Sequence, residues 1–265
     1  MARSTSSKIH ALPTNGKVFY PESDGKPMAE TDVHRDLMID VIQILRAHFR
    51  GHPDVYVSGN LLLYYEKGNP KKSVSPDVFV VFGVSPEMRR TYLMWEEGKG
   101  PDWVLELSSE HTYRADLRKK KELYAKVLGV KEYYLYDPDH QYLRPPLQGY
   151  RLTNGIYTPI EPVAGRLPSA VLGLDLGLEE GELAFYNLQM GDRLLTPAEQ
   201  AEVRARQEFH DRQQAEARAH QEFQARLREA RARQQAEARA QQAEAELAQL
   251  RVELERFRTR QTSEQ

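Results

Sequence analysis

The chain changes character at Pro197. From Ala198 to the last residue there is no glycine and no proline, and the stretch is built almost wholly from Ala, Arg, Gln and Glu. These residues favour the helix and nothing interrupts them, so the second part of the chain is predicted to be one long helix. Within it the string Arg212 to Ala219 returns unchanged as Arg233 to Ala240, a displacement of 21 residues or three heptads. A helix repeating on that period keeps one stripe turned toward a partner. The clearest seam lies at the far end, where Ala240, Ala243, Leu247, Leu250, Leu254 and Phe257 alternate by three and four. Phe209, Phe223 and Leu227 form an earlier stripe whose phase does not run into that seam, which implies a stutter or a frayed alanine-rich middle. A second copy of the chain and another coiled-coil protein are both open as partners. A lone solvated helix held by Glu/Arg pairs is the third reading, and the seam favours pairing over it.

The part before Pro197 carries the turns and most of the aromatics, and its length suits one domain. The expected division is a flexible segment over 1–17, a domain over 18–195, a long helix over 196–260 and a disordered end over 261–265. Cysteine is absent, which excludes a disulfide framework, a thiolate metal site and a cysteine nucleophile. The first residues lack the apolar stretch of a signal peptide, and no run approaches the ~20 apolar residues that cross a bilayer. A cytoplasmic protein with no membrane partner is expected. The formal net charge of −2 offers no global field to a polyanion, so nucleic-acid contact must come from local patches. Lys67, Lys71 and Lys72 form one. A second surrounds a helix and runs from Arg114 through Arg118, Lys119, Lys120, Lys121 and Lys126 to Lys131. A solvated face explains either patch equally well.

Val33, Leu37, Val41, Ile44, Leu45 and His48 make a helical stripe after a turn-rich segment, predicting a helix from about Asp32 to Arg50. Short apolar runs bounded by turn residues predict strands at Val55 to Tyr65, Val78 to Phe82 and Trp103 to Leu107. A second helix over Arg114 to Leu128 is stopped by Gly129, and a fourth strand, Tyr133 to Tyr136, by Asp137-Pro138. Further short strands are expected near Tyr142, at Tyr150 to Leu152 and at Ile156 to Ile160, giving a peripheral hairpin. The unbroken apolar run Val78 to Val81 suits a sheet buried on both faces, hence an α/β fold.

Two carboxylates are conspicuous in this frame. Asp77 follows Pro76 immediately before an apolar strand, and Glu106 interrupts Trp103 to Leu107 in mid-strand, where a buried acid needs a partner. A turn residue and a solvent-facing strand residue are the alternatives. Asp116, Lys120 and Tyr124 lie four apart on the following helix and form one row.

The series Ser75-Pro-Asp-Val78, then Val104-Leu-Glu-Leu-Ser-Ser109, then Asp116, Lys120 and Tyr124, then Gly129 to Pro138 resembles the Uma-type family of restriction endonucleases in the PD-(D/E)XK nuclease superfamily. The segment Ser23 to Asp32 and the Glu/Ala/Gln/Arg-rich tail are further points of likeness. The resemblance implies a restriction-endonuclease-like α/β core of helix, three strands, helix and strand, with a peripheral β-hairpin and a long C-terminal coiled-coil-like helix. It implies Asp77 and Glu106 as acidic metal ligands and Lys120 as the catalytic lysine. The superfamily's simplest pattern puts the lysine two residues after the glutamate, where this chain has Ser108, and the family brings it from the next helix instead. Glu30 and His34 match an accessory acid and its neighbour, while acids at a helix start also suit the dipole. Two carboxylates and a backbone carbonyl, that of Leu107, suit Mg²⁺ or Mn²⁺ and leave sites for water and a phosphate oxygen. Lys120 then holds the water and offsets developing charge, with Asp116 and Tyr124 fixing its helix face. Hydrolysis of DNA follows, with Lys67, Lys71, Lys72 and Lys119 as backbone contacts. The alternative is a catalytically silent adaptor that binds nucleic acid or protein on the same fold and works through its tail.

Overall fold

The computed structural model describes residues 18–23 and 31–262, with side chains as far as 252. It holds two compact units, the first ending at Gln200 and the second beginning at Ala201. The expectations for 1–17, for Glu30 and for 263–265 fall outside the described residues.

Helix α1 (Asp32–His48) starts at Thr31, whose hydroxyl accepts the His34 amide at 3.2 Å and satisfies one orphan donor of the first turn. It buries His34, Met38, Val41, Ile44 and Leu45, whereas Val33, expected on the buried stripe, is 60% exposed. The strands that follow are β1 (Val55–Ser58), β2 (Leu63–Tyr64), β3 (Ser73–Val74), β4 (Val78–Phe82) and β5 (Tyr92–Leu93). After the short helix α2 (Met94–Glu97) come β6 (Trp103–Leu107), the helix α3 over 113–128 and β7 (Glu132–Tyr136). Then come β8 (Leu147–Thr153), β9 (Ile156–Pro159), β10 (Leu167–Ser169), β11 (Leu174–Glu179) and β12 (Glu182–Asn187).

One six-stranded sheet runs β1-β4-β6-β7-β8-β9. Within this sheet, among the described residues, only β6 and β7 pair in parallel, and α3 is the crossover such a pair requires. Alternation sorts the side chains to two faces. Val55, Val57, Val78, Val80, Trp103, Leu105, Tyr134 and Tyr136 pack with α1 and with the three-stranded sheet β10-β11-β12. Tyr56, Phe79, Val81, Val104, Tyr133 and Leu135 pack with Tyr124 and Leu128 of α3 and with Leu63 and Tyr92 of the small β3-β2-β5 sheet. Burial on both faces explains why these strands read as continuous apolar runs.

Two expectations need correction. Val55 to Tyr65 is not one strand: it breaks at Gly59 and Asn60, the latter at φ 49°, and β2 pairs in another sheet. A Cβ on Gly59 would stand 2.0 Å from the Asp77 carbonyl oxygen, so the chains meet too closely there for a side chain. No strand forms at Tyr142, because its amide and that of Leu143 donate to Asp137 Oδ2 and hold a loop instead. The expected hairpin is β8 with β9, which extends the main sheet. The β10-β11-β12 layer was not anticipated. It is tied to the main sheet by buried Glu132, which accepts from Arg151, Ser169 and the Ala170 amide.

The second unit belongs to helix α4 (Pro197–Thr262, 66 residues), which runs two residues past its expected end. It opens with a capping box: Thr196 Oγ1 accepts the Glu199 amide at 3.1 Å and Glu199 Oε2 accepts the Thr196 amide at 2.7 Å, with Pro197 as first helical residue. Phe209, Phe223, Leu227, Leu247 and Leu250 are exposed along it. Among the described residues no helix is long and apolar enough to cross a membrane.

Candidate active site

Asp77 and Glu106 come together through sheet register. Strand β4 pairs antiparallel with β6, Val78 opposite Leu105, so one step further Asp77 stands across from Glu106. Like charges directly opposite each other destabilise a sheet, and here both face α3. The Leu107 amide donates to Asp77 Oδ2 at 2.7 Å, and His34 Nε2 from the first turn of α1 lies 3.7 Å from the same oxygen. Glu106 is fully buried, with Tyr124 donating to Oε1 at 2.5 Å and Lys120 to Oε2 at 2.9 Å.

Helix α3 presents its row by a local distortion. It widens into π-turns at Asp116–Lys120 and Tyr124–Leu128. An α-helix drifts about 40° for every four residues, which over two steps would turn Tyr124 well away from Asp116. The wider turn reduces that drift and keeps Asp116, Lys120 and Tyr124 over Glu106; such turns recur at functional sites. Lys120 Nζ lies 3.0 Å from Asp116 Oδ1, a contact of charges rather than an aligned hydrogen bond. Ser108 donates to Asp116 Oδ2 at 3.1 Å, and Tyr133 donates to the Asp116 backbone carbonyl at 3.0 Å.

Three carboxylates thus share one ammonium. Burial pushes Glu106 well above the usual carboxylate range even beside Lys120, and Asp77 and Asp116 add to the rise. Burial raises Asp116 in the same way. For Asp77 burial also works upward, but the His34 contact, the Lys120 charge and the Leu107 amide outweigh it and leave the carboxyl low. Burial would lower the Lys120 ammonium, yet Glu106, Asp116 and Asp77 hold it far above its ordinary value. Shifts from burial combined with a specific charge partner occur at functional sites, and in structural ion-pair networks as well.

The donor set fits a hard divalent cation. Asp77 and Glu106 offer carboxylate oxygens, and each Glu106 oxygen keeps a second lone pair beyond the one it gives to Tyr124 or Lys120. Among the described residues no group of three or more His, Asp and Glu side chains forms a ready-made metal cage. Mg²⁺ is ordinarily held by one or two carboxylates, with waters and phosphate completing its shell.

Of the residues singled out in the sequence, Asp77, Glu106, Lys120, Asp116 and Tyr124 meet in this cluster, and His34 joins through Asp77. Leu107 contributes its amide to Asp77. Lys67, Lys71 and Lys72 are exposed on the segment between β2 and β3, and Lys119 is exposed on α3. Sequence reasoning missed Ser108 as a partner of Asp116, Tyr133 as a support of α3, and Gly59 against the Asp77 backbone. The alternation that puts Ser108 on the Glu106 face was the available signal for the first.

Residues 7–186 match the Uma2 family, described as "Putative restriction endonuclease". Among solved structures the chain is similar to one described as a "putative nuclease belonging to DUF820" from Anabaena variabilis ATCC 29413. The two share 18% identity over 56% of this chain and 76% of that one, with a TM-score of 0.40. No curated protein matches.

Proposed function

We propose that this chain, which belongs to the Uma2 family, is a divalent-metal-dependent endonuclease hydrolysing phosphodiester bonds in DNA. The observation that carries the reading is the pair Asp77 and Glu106, held opposite each other on adjacent strands at a cost in repulsion, with Lys120 against Glu106. Asp77 and Glu106 would hold Mg²⁺ or Mn²⁺, helped by the Leu107 carbonyl. When bound, the ion would supply positive charge, acidify a coordinated water and neutralise phosphate oxygens.

The residues of the chain do the rest. His34 and the Leu107 amide fix the Asp77 carboxylate, and Tyr124 fixes that of Glu106. Lys120 carries three N–H donors. One donates to Glu106 while the charge also faces Asp116, and a further N–H would reach a water or a phosphate oxygen, where the ammonium stabilises charge that grows in the transition state. In the reaction a water oxygen bonds to phosphorus, one phosphorus–oxygen ester bond breaks, and the departing oxygen takes a proton. Phosphomonoester and hydroxyl ends result.

Exposed Lys67, Lys71, Lys72 and Lys119 supply sequence-independent contacts to the DNA backbone. Cutting both strands is simplest with two sites, and α4 pairing with a second copy would supply them. Plasmid nicking with Mg²⁺ or Mn²⁺ tests the reading: wild type should nick, while Asp77→Ala and Lys120→Ala should not. Equal absence of cleavage in all three points to the silent adaptor.

A further inference from the structure

We infer that Ser108 is a positioning residue, which acts through Asp116 to hold the Lys120 ammonium at the cluster. The inference rests on the nuclease reading for its kinetic arm alone. Ser108 follows Glu106 by two residues and therefore lies on the same side of the sheet line, immediately past the end of β6. Its backbone is fixed by its amide N–H, which donates to the Tyr136 carbonyl at 2.7 Å, and the residue is fully buried. From that rigid base its hydroxyl donates to Asp116 Oδ2 at 3.1 Å. The second Asp116 oxygen faces Lys120 Nζ at 3.0 Å, and Lys120 reaches Glu106 Oε2 at 2.9 Å. The hydroxyl, the carboxylate, the ammonium and the metal-ligating carboxylate form one chain of contacts.

The chain is needed because a lysine is a compact charge on a flexible four-carbon stem, and Lys120 keeps 23% of its side chain exposed. Glu106 alone would hold it by one contact. Asp116 supplies a second, but a carboxylate free to rotate about its own side-chain bonds does not fix a direction. Tyr133 restrains the Asp116 backbone through the 3.0 Å bond to its carbonyl, and Ser108 restrains the carboxylate itself. Together they hold the Asp116 carboxylate in place beside the ammonium. The Ser108 hydroxyl bonds Asp116, whereas Asp77 and Glu106 take their hydrogen bonds from Leu107, Tyr124 and Lys120, so its role is separable from metal binding.

The test compares Ser108→Ala, which deletes the hydroxyl, with Ser108→Thr, which keeps it. In wild type and both variants, kcat and KM for plasmid DNA are measured with Mn²⁺, along with Mn²⁺ affinity by calorimetry. Ser108→Ala should lower kcat about tenfold or more, the scale of one bond to a charged group. KM and Mn²⁺ affinity should stay within about twofold, and Ser108→Thr should restore kcat. A second measurement needs no turnover. In protein labelled with ¹⁵N-lysine, the Lys120 amine resonance, identified by its loss in Lys120→Ala, should be protected from solvent exchange in wild type and lose protection in Ser108→Ala. A wild-type protein that cleaves nothing overturns the nuclease reading and leaves the positioning inference to stand or fall on this resonance. An unprotected wild-type amine, unchanged protection in Ser108→Ala, or a kcat loss that tracks Mn²⁺ affinity each overturns the inference.

Discussion

Replacing Lys120 by Met removes an ammonium from a buried group of three carboxylates while keeping much of the side-chain volume. Breaking a buried ion pair by deleting one partner costs roughly 3 to 5 kcal/mol, because the other charge is left uncompensated. In a core of this size 1 kcal/mol moves Tm by about 2 to 4 °C, so the expected fall at neutral pH is roughly 6 to 20 °C. Protonation sets the pH dependence. Burial already holds Glu106 and Asp116 above the usual carboxylate range, and losing Lys120 raises both further. A carboxyl whose folded value is raised stabilises the fold at pH below its unfolded value and loses that contribution as pH rises through the folded one. The gap between variant and wild type should therefore widen from pH 5 toward pH 8.5 and narrow on acidification. Mn²⁺ at ~100 times its dissociation constant should return about 2.7 kcal/mol, while cleavage stays at least about a hundredfold down for want of the ammonium. Thermal unfolding followed by circular dichroism across that pH range reads the effect. A Tm equal to wild type at every pH, or a deficit that shrinks as pH rises, would refute the reasoning.

Gly59→Ala places a methyl 2.0 Å from the Asp77 carbonyl oxygen and 2.8 Å from Ile42 Cδ1; it should destabilise by about 1 to 3 kcal/mol or more and weaken Mn²⁺ binding, both read on one purified variant by melting and calorimetry. Asp102 is 3% exposed and bonded to Lys99, Lys131 and the Phe82 amide; burial works to raise its carboxyl, but Lys131, Lys99 and the amide outweigh it and hold it low. Its stabilisation is thus present above the unfolded value of ~3.9 and lost as pH falls through the lower folded value, so Asp102→Asn should cost roughly 1.5 to 3 kcal/mol at pH 7 and nothing once Asp102 is protonated; a gap independent of pH contradicts this. Truncation after Gln200 keeps the Thr196–Glu199 box and should leave the Tm of the core within about 2 °C, the effect of a neutral change, while light scattering reports a monomer in place of a dimer; a truncated chain that still dimerises moves the contact elsewhere.

The main sheet was legible because its strands are buried on both faces. Val78 to Phe82 and Trp103 to Leu107 coincide with β4 and β6, and short runs that are apolar at every position but Glu106 admit few other arrangements. The tail was legible from propensity, since the stretch after Pro197 holds no breaker and forms one helix. The β10-β11-β12 layer was not, because its strands hold Pro168, Ser169 and Gly177 among the apolar positions, and its attachment depends on Glu132 meeting Arg151 and Ser169 across the fold. The site divides the same way. Glu106 in mid-strand and the Asp116, Lys120, Tyr124 spacing identify themselves by residue type and period. Their convergence depends on the β4–β6 register and the π-turns of α3, neither of which leaves a local pattern. Gly59 shows the limit well: it looks like an ordinary turn glycine until the Asp77 backbone is placed beside it.

Calorimetric titration of Mn²⁺ into wild type and Glu106→Gln tests the central claim most directly. Wild type should bind at least one ion per chain through Asp77 and Glu106, with affinity rising with pH as the Glu106 proton is displaced, and Glu106→Gln should bind none while remaining folded. Equal binding by the two proteins, or no heat from wild type at any pH between 6 and 9, would show that these carboxylates are not a cation site.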